Sequence, residues 1–338
     1  MRDVIERVIR QEDLSKEEMM SVMELIMSGN VSPMQISGLL VALRMKGESV
    51  DEIVGSAKVL RERASRVEIK QTHTIDTCGT GGDGANTFNV STAVSFVAAA
   101  AGVTVVKHGN RSVSSKCGSA DVLEKLGVNI NLGPRQVQES VEKTNIGFMY
   151  APKFHGAMKY ALIPRRELGI RTIFNILGPL INPAHVRGQV LGVFNPSLTQ
   201  VVARALRDLG VERAMVVHGL DGLDEITITK ETQVTELKEG RIQNYIMDPR
   251  EFGFPLGGKR ELKGGQPKEN AQIILNIFKG ERGGRRNMVL INAGAAIYVG
   301  NQAESLQEGI EMARAVIDTG LAMEKLQEFI SFSQGVRS

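Results

Sequence analysis

Four stretches of this chain concentrate residue types that handle charged ligands. The densest runs from Asp76 to Thr92 and reads DTCGTGGDGANTFNVST. Gly79, Gly81, Gly82 and Gly84 let the backbone approach a ligand and aim successive N–H groups at it. Asn89, Ser91 and Thr92 stand where a following helix begins. Their polar side chains and the free N–H groups of that first turn make a natural phosphate site. The spacing is not G-x-G-x-x-G, and no Gly-Lys-Ser/Thr closes it. Both facts argue against a dinucleotide or a nucleoside triphosphate. A tight strand-to-helix turn with ordinary caps is the plain alternative.

The second stretch, Lys107 to Ser115 followed by Gly118 to Asp121, comes directly after an apolar strand, at the carboxyl edge where open α/β sheets bind ligands. Lys107 and Arg111 supply cations. Ser114, Ser115 and Ser119 supply hydroxyls, and Asn110 offers both donor and acceptor. The third, His218-Gly-Leu-Asp-Gly-Leu-Asp-Glu225, also follows an apolar strand. Asp221, Asp224 and Glu225 are hard oxygen ligands suited to Mg²⁺, which prefers carboxylate, water and substrate phosphate. An Asp-Glu pair after a strand is ordinarily surface charge. Opposite two phosphate loops, the metal reading gains weight. The fourth runs from His155 through Pro164-Arg165-Arg166 to Pro183. Pro164 should kink or end its helix, leaving Arg165 or Arg166 at a bend to fork a carboxylate. Surface arginines are the alternative.

These clusters need a scaffold. Residues 1–66 read as helix, with a capping-box pattern at Ser15 and Glu18, a start at Ser32-Pro33 and a third helix over 50–64. Met19, Met20, Met23, Met27, Met34 and Met45 read as core filling or as a helix-on-helix dimer face. From about residue 70, strands at 74–77, 103–106, 146–150, 190–194 and 213–217 alternate with helices near 91–101, 120–126, 134–143, 155–168, 197–209 and 269–278. That alternation predicts an α/β fold: a small all-helical domain beside a large domain whose mostly parallel central sheet is flanked by helices. Residues 226–229, 233–237 and 241–246 read as an antiparallel excursion. Residues 250–265, rich in Gly, Lys and Arg, read as surface loop, and the last helices as 287–300 and 303–331.

The 338 residues are 42% hydrophobic and 23% charged, enough for about two domains with a sizeable core. A net charge of +3, from 41 basic and 38 acidic side chains, is too balanced for a dedicated nucleic-acid binder. No apolar run reaches the ~18 residues of a membrane span, and the start, Met-Arg-Asp-Val-Ile-Glu-Arg, has no signal-peptide core. Two cysteines, Cys78 and Cys117, exclude a disulfide framework and a thiolate metal cluster, so a cytoplasmic location is expected.

The strings GTGGDGANTFNVST, KHGNRSVSSKCGSADVLEKLG, HGAMKYALIPRRELGIRTIFNILGPLINPA and VVHGLDGLDE occur in order through residues 79–225. Together they closely resemble the anthranilate phosphoribosyltransferase family, and the likeness extends over essentially the whole chain. The resemblance implies Mg²⁺-dependent transfer of phosphoribose from phosphoribosyl pyrophosphate (PRPP) to the anthranilate amine in tryptophan biosynthesis. It implies a homodimer through the helical domain, that domain comprising residues 1–70 plus about 163–184. Residues 71–162 plus 185–338 would then form the PRPP- and Mg-binding domain. By the same likeness Gly79, Gly82, Asp83, Thr87, Asn89, Val90, Ser91, Thr92, Lys107, His108, Gly109, Asn110, Arg111, Ser112, Val113, Ser114, Ser115 and Ser119 contact PRPP. Ser91, Asp224 and Glu225 hold magnesium, with two ions bound alongside PRPP. Gly79, Asn110, His155 and Arg165 contact anthranilate, and His108 lines the mouth of its pocket. The sequence departs from the family pattern at Gly156, where a proline is expected, at Cys117 in place of serine, and at Phe154 before the histidine.

The implied chemistry needs no strong base, because an aromatic amine is neutral at pH 7. His108 is the one candidate to take its proton late. A pyrimidine nucleoside phosphorylase of the same architecture is the nearest rival. It would bind orthophosphate and have no need of the Asp224–Glu225 pair. A non-catalytic nucleic-acid-binding homologue is the second, and it should carry a basic groove and a damaged glycine loop.

Overall fold

The computed structural model describes residues 1–82, 84–112 and 116–336. Asp83, Val113, Ser114 and Ser115, all expected at the phosphate site, lie outside the described residues.

The chain opens with α1 (Arg2–Ile9), α2 (Lys16–Met27), α3 (Pro33–Lys46) and α4 (Val50–Glu62). The starts follow from capping chemistry. The Ser15 hydroxyl accepts from the Glu18 N–H, and the Glu18 carboxylate accepts from the Ser15 N–H at 2.8 Å. Ser49 and Glu52 repeat the arrangement on α4. Losing such a cap costs about 1 kcal/mol. Pro33 at the first turn and Gly47 at φ 89° bracket α3. Met19, Met23 and Met27 fill this core, as expected. Met34 and Met45 do not: they are 86% and 78% exposed. Each falls near an end of α3, beyond the stripe formed by Ile36, Leu39, Leu40 and Leu43.

The α/β part follows as β1 (Thr74–Gly79), α5 (Val90–Ala100), β2 (Thr104–Gly109), α6 (Ser119–Leu126), α7 (Pro134–Thr144) and β3 (Ile146–Tyr150). The chain then returns to the helical layer through α8 (Ala151–Phe154), a 3-10 turn (Gly156–Met158), α9 (Lys159–Leu168) and α10 (Ile173–Leu180). Next come β4 (Gly188–Gly192), α11 (Leu198–Asp208), β5 (Arg213–Gly219), β6 (Thr232–Lys238) and β7 (Arg241–Met247). The chain closes with α12 (Pro267–Phe278), α13 (Gly284–Val299), α14 (Leu306–Asp318) and α15 (Leu321–Gly335).

Among the described residues the sheet has seven strands in the order β3-β2-β1-β4-β5-β6-β7. The first five run parallel, and β6 and β7 are antiparallel. The chain builds outward from β1 to β3, then returns to place β4 on the other side of β1. That reversal is the position where such sheets open a crevice at the strand carboxyl ends. The pairing Gly79↔Gly192 sets the two strand ends side by side there. One sheet face packs on α5, α6 and α12–α15, around Phe96, Phe278 and Phe329. The other packs on α11 and on the helical layer, where Ile173, Phe174, Ile176 and Leu177 of α10 join Leu39, Leu43, Ile53 and Leu60.

Three expected elements differ. Residues 226–229 form a loop, not a strand, because Asp221 draws in the hydroxyls of Thr227 and Thr229. The final expected helix is two, parted at Gly320 with φ 85°, a left-handed value suited to glycine. Pro164 does not end its helix: α9 runs through it to Leu168 and stops at Gly169 with φ 60°.

Candidate active site

The third cluster docks directly onto the first. The Gly81 N–H donates to Asp224 Oδ2 at 2.7 Å. A Cβ at Gly79 would collide with the Asp224 carboxylate, and one at Gly192 with the Asp224 backbone. Glycine is therefore required at both strand ends by close approach. Gly81, Gly82 and Gly84 sit at φ 68°, 77° and 73°, which turns their N–H groups along the loop.

The second cluster joins from β2. Lys107 is 3% exposed, and its ammonium donates to the Thr77 carbonyl and to Ser91 Oγ, the latter at 3.2 Å. Thr77 Oγ1 donates to the Ser91 carbonyl at 3.1 Å. The start of α5 is thus tied to β1 and β2. Asn89 precedes that helix, and its side chain makes no cap there, donating instead to the Cys117 carbonyl at 3.2 Å. Asn89 Oδ1 and Thr92 Oγ1 are buried with no hydrogen-bond partner. Val90 is buried, and Thr87 is partly exposed.

Beyond Gly109, the Asn110 carbonyl accepts from the Ala120 N–H and from Ser119 Oγ, at 3.2 and 3.3 Å. The Ser112 N–H donates to Asp121 at 2.9 Å. Arg111 spends its charge locally. Its guanidinium pairs with Asp121 and Glu124 at 3.0 and 2.7 Å and lies over the Tyr150 ring. It is a loop anchor here and does not turn into the crevice as an open cation.

The fourth cluster reaches the second through His155. His155 stands edge-on to His108, ring centroids 4.9 Å apart, and Nε2 of each is buried without a hydrogen-bond partner. Burial, reinforced by His155, lowers the His108 pKa to about 3, and burial lowers that of His155 to about 4. Both rings are neutral at pH 7. Arg165 is half-buried over Phe174, 5.3 Å from its centroid, and makes no hydrogen bond or ion pair among the described residues. Its neighbour Arg166 is exposed and pairs with Glu167. At Gly156 a Cβ would meet open space, so the departure from proline leaves no packing defect.

Other residues escaped the sequence reading. Arg171 lies over Phe194 at 4.3 Å, against the backbone of Gly82. Asp76 is fully buried between β1 and β2, accepting from Asn182 Nδ2 at 2.8 Å and the His108 N–H at 3.3 Å. Burial raises its pKa despite nearby Lys107. Both residues sit inside the quoted strings, yet their partners are distant in sequence. Asp221 leaves the candidate metal ligands, because its carboxylate organises the loop through Thr227 and the Leu223 N–H. A groove of about 400 Å³ between Pro196, Gln200, Gln233 and Tyr245 lies across the sheet and carries none of these residues. Residue chemistry, not volume, marks the site.

No group of three or more His, Cys, Asp or Glu side chains able to hold a metal occurs among the described residues. The Asp224–Glu225 pair is therefore incomplete alone. It suits a cation whose remaining ligands are water and phosphate oxygens, as Mg²⁺ prefers.

A helical bundle thus stands beside a sheet whose glycine turn and acid loop meet at the switch point. Residues 2–64 match the glycosyl transferase family's helical bundle domain and residues 71–323 its a/b domain, and the chain belongs to this family. Its relatives are anthranilate phosphoribosyltransferases. That of Alkaliphilus metalliredigens (strain QYMF) is 68% identical over 337 residues, spanning 100% of this chain and 99% of its own. The crystal structure of the Thermus thermophilus protein of that name is 42% identical, with TM-score 0.93 over 98% of this chain and 100% of that one. The Saccharomyces cerevisiae protein in complex with PRPP and Mg is 27% identical, with TM-score 0.87 over 96% of this chain and 94% of that one.

Proposed function

We propose that this chain transfers the 5-phosphoribosyl group from PRPP to the amine of anthranilate, yielding N-(5-phosphoribosyl)anthranilate and pyrophosphate in tryptophan biosynthesis. The observation that carries the reading is the docking of Asp224 on the Gly79–Gly81 turn, which sets an acid pair against a phosphate loop. The S. cerevisiae relative binds PRPP and Mg, which supports the same ligands here.

Pyrophosphate would lie on the N–H groups of the glycine turn and the first turn of α5, beside Lys107 and Ser91. Asp224, Glu225 and Ser91 would hold magnesium, two ions with PRPP, and the metal supplies charge neutralisation of the leaving pyrophosphate. Ser91 Oγ accepts from the Lys107 ammonium at 3.2 Å and keeps a second lone pair that a metal would take. Arg165, an unpaired half-buried guanidinium, would fork the anthranilate carboxylate and aim the amine at ribose C1. The amine lone pair forms the new C–N bond as the C1–O bond breaks, and that electron pair leaves on pyrophosphate. The arylammonium proton is acidic enough to pass to a weak base, and unpartnered His108 Nε2 suits it.

The helical layer supports a division into residues 1–70 plus about 163–184 and the remainder, because α9 and α10 pack on α2–α4. Exposed Met34, Met45, Ile9 and Leu25 on that layer support a homodimer through it. No helix of the described residues is long and apolar enough to cross a membrane, which accords with a cytoplasmic enzyme.

The test is loss of anthranilate fluorescence with PRPP and Mg²⁺. Consumption is expected only when all three are present. Phosphorolysis of uridine with orthophosphate, without anthranilate consumption, would favour the nucleoside phosphorylase instead.

A further inference from the structure

The segment between β7 and α12 is tied at both ends to the loops that handle phosphate. At one end the Gly257 N–H donates to the Ile228 carbonyl at 2.9 Å, and the Lys259 ammonium to the Asp221 carbonyl at 2.7 Å. Asp221 belongs to the loop that carries Asp224 and Glu225. At the other end the Phe88 N–H donates to the Leu262 carbonyl at 3.1 Å, and the Gly264 N–H to the Asn86 carbonyl at 2.9 Å. Thr87 and Lys263 pair there as an antiparallel bridge. Buried Phe254 and Leu262 pin the segment down. The stretch spans from the acid loop to the glycine turn.

Its charge is unlike that of the rest of the chain. Residues 257–264 hold Lys259, Arg260 and Lys263 against Glu261, a net +2 in eight residues, while the whole chain of 338 carries only +3. Arg260 and Lys263 are exposed, and their side chains make no ion pair or hydrogen bond among the described residues. Glu261, the carboxylate of the segment, accepts instead from the Gly258 N–H at 3.2 Å. Arg285 of α13 comes in behind, donating to the Lys263 carbonyl at 2.8 Å. A solvated loop ordinarily mixes its signs, whereas this one holds unpaired cations beside a candidate polyanion site.

We propose that residues 257–264 form a basic strap that holds the two phosphate-handling loops in register and draws the polyanionic substrate to them. The proposal rests on the reading that this site takes PRPP. The strap's ties to the glycine turn are all backbone, so its fold survives loss of the charges. Those charges then act at a distance, raising the local concentration and capture rate of an anion, an effect that salt screens.

The experiment compares wild type with Arg260→Gln/Lys263→Gln at about 0.01 M and about 0.15 M ionic strength. At low salt the double variant should lose roughly tenfold in kcat/KM for PRPP, and the gap should nearly close at the higher salt. The KM for anthranilate and the Tm should not move. Adding Lys259→Gln severs the Asp221 contact and should raise the Mg²⁺ concentration for half-maximal rate. Calorimetric titration with inorganic pyrophosphate and Mg²⁺ reads the strap without turnover, and the double variant should bind more weakly at low salt. Wild-type capture and pyrophosphate affinity at both salts, or an equal loss at both, would overturn the strap. Tight, salt-sensitive pyrophosphate binding by a wild type that consumes no anthranilate would overturn the activity and leave the strap standing.

Discussion

On the glycine-turn side of the crevice, the charged groups are held by neighbours, Asp224 by the Gly81 N–H and Lys107 by Thr77 and Ser91, although Asn89 Oδ1 and Thr92 Oγ1 there are buried without partners. On the side facing the helical layer, His108 and His155 leave buried nitrogens without partners, and Arg165 rests on an aromatic ring. Under the proposed function, the contrast follows from what each side would meet. A polyanion needs donors and cations already arranged, because reorganising them during bond breaking would add to the barrier. An aromatic amine, already neutral in water at pH 7, needs an apolar pocket for its ring, with one cation for its carboxylate. Two protonated imidazoles there would oppose Arg165, and burial keeps both neutral.

The largest expected effect strikes the phosphate side. Asp224→Asn with Glu225→Gln should lower turnover at ordinary Mg²⁺ by roughly a thousandfold, as several kcal/mol of charge stabilisation is lost. Circular dichroism should report an intact fold, and a double variant active at limiting Mg²⁺ would remove the acid pair from the metal.

Next is Arg165→Ala on the apolar side. Truncating a desolvated charge partner costs ~2–5 kcal/mol, and a half-buried position argues for the lower end, roughly a hundredfold in kcat/KM for anthranilate. Arg166→Ala should be nearly normal, because an exposed pair with Glu167 contributes about 0–1 kcal/mol. Steady-state kinetics in both substrates would expose a reversal of the two arginines.

A smaller effect appears in the pH dependence of stability. His108 and His155 titrate at about 3 and about 4 when folded, below the ordinary 6.5. The unfolded chain therefore binds protons first on acidification. Stability is complete above about pH 6.5 and falls toward pH 4, by at most about 1.4 kcal/mol per unit for each histidine. Urea melts of His108→Asn/His155→Asn should show a flatter acid limb than wild type. An unchanged limb would mean that the pair is not desolvated.

The smallest effect concerns the thiols. Cys78 and Cys117 each lie in one of the polar loop stretches. Burial pushes the Cys78 thiol far up and that of Cys117 to about 12. Thiolate is the reactive form, so modification at pH 8 should be slow until denaturant is added. A thiol that reacts rapidly in the native protein would show that its loop opens.

Much of this was legible in the sequence because it is local. Glycine spacing marked the turn, Ser15–Glu18 the cap of α2, and strand-helix alternation the parallel sheet. What was not legible is juxtaposition across the chain. The 226–229 run has a strand's alternation, but Asp221 folds it into a loop. Arg171 reaches Gly82, and residues 257–264 reach Asn86 and Phe88, through topology that no periodicity encodes. Pro164 read as a kink or an end, and α9 does not end there. For Met34 and Met45 core and dimer face stayed open alternatives, because helical spacing cannot say where a stripe ends.

The division of labour between the two sides is tested most directly by titrating Mg–PRPP into wild type, Arg165→Ala and Asp224→Asn/Glu225→Gln by calorimetry. Wild type and Arg165→Ala should bind alike, and the acid-pair variant should bind far more weakly. Loss of Mg–PRPP affinity in Arg165→Ala as deep as in the acid-pair variant would contradict the account.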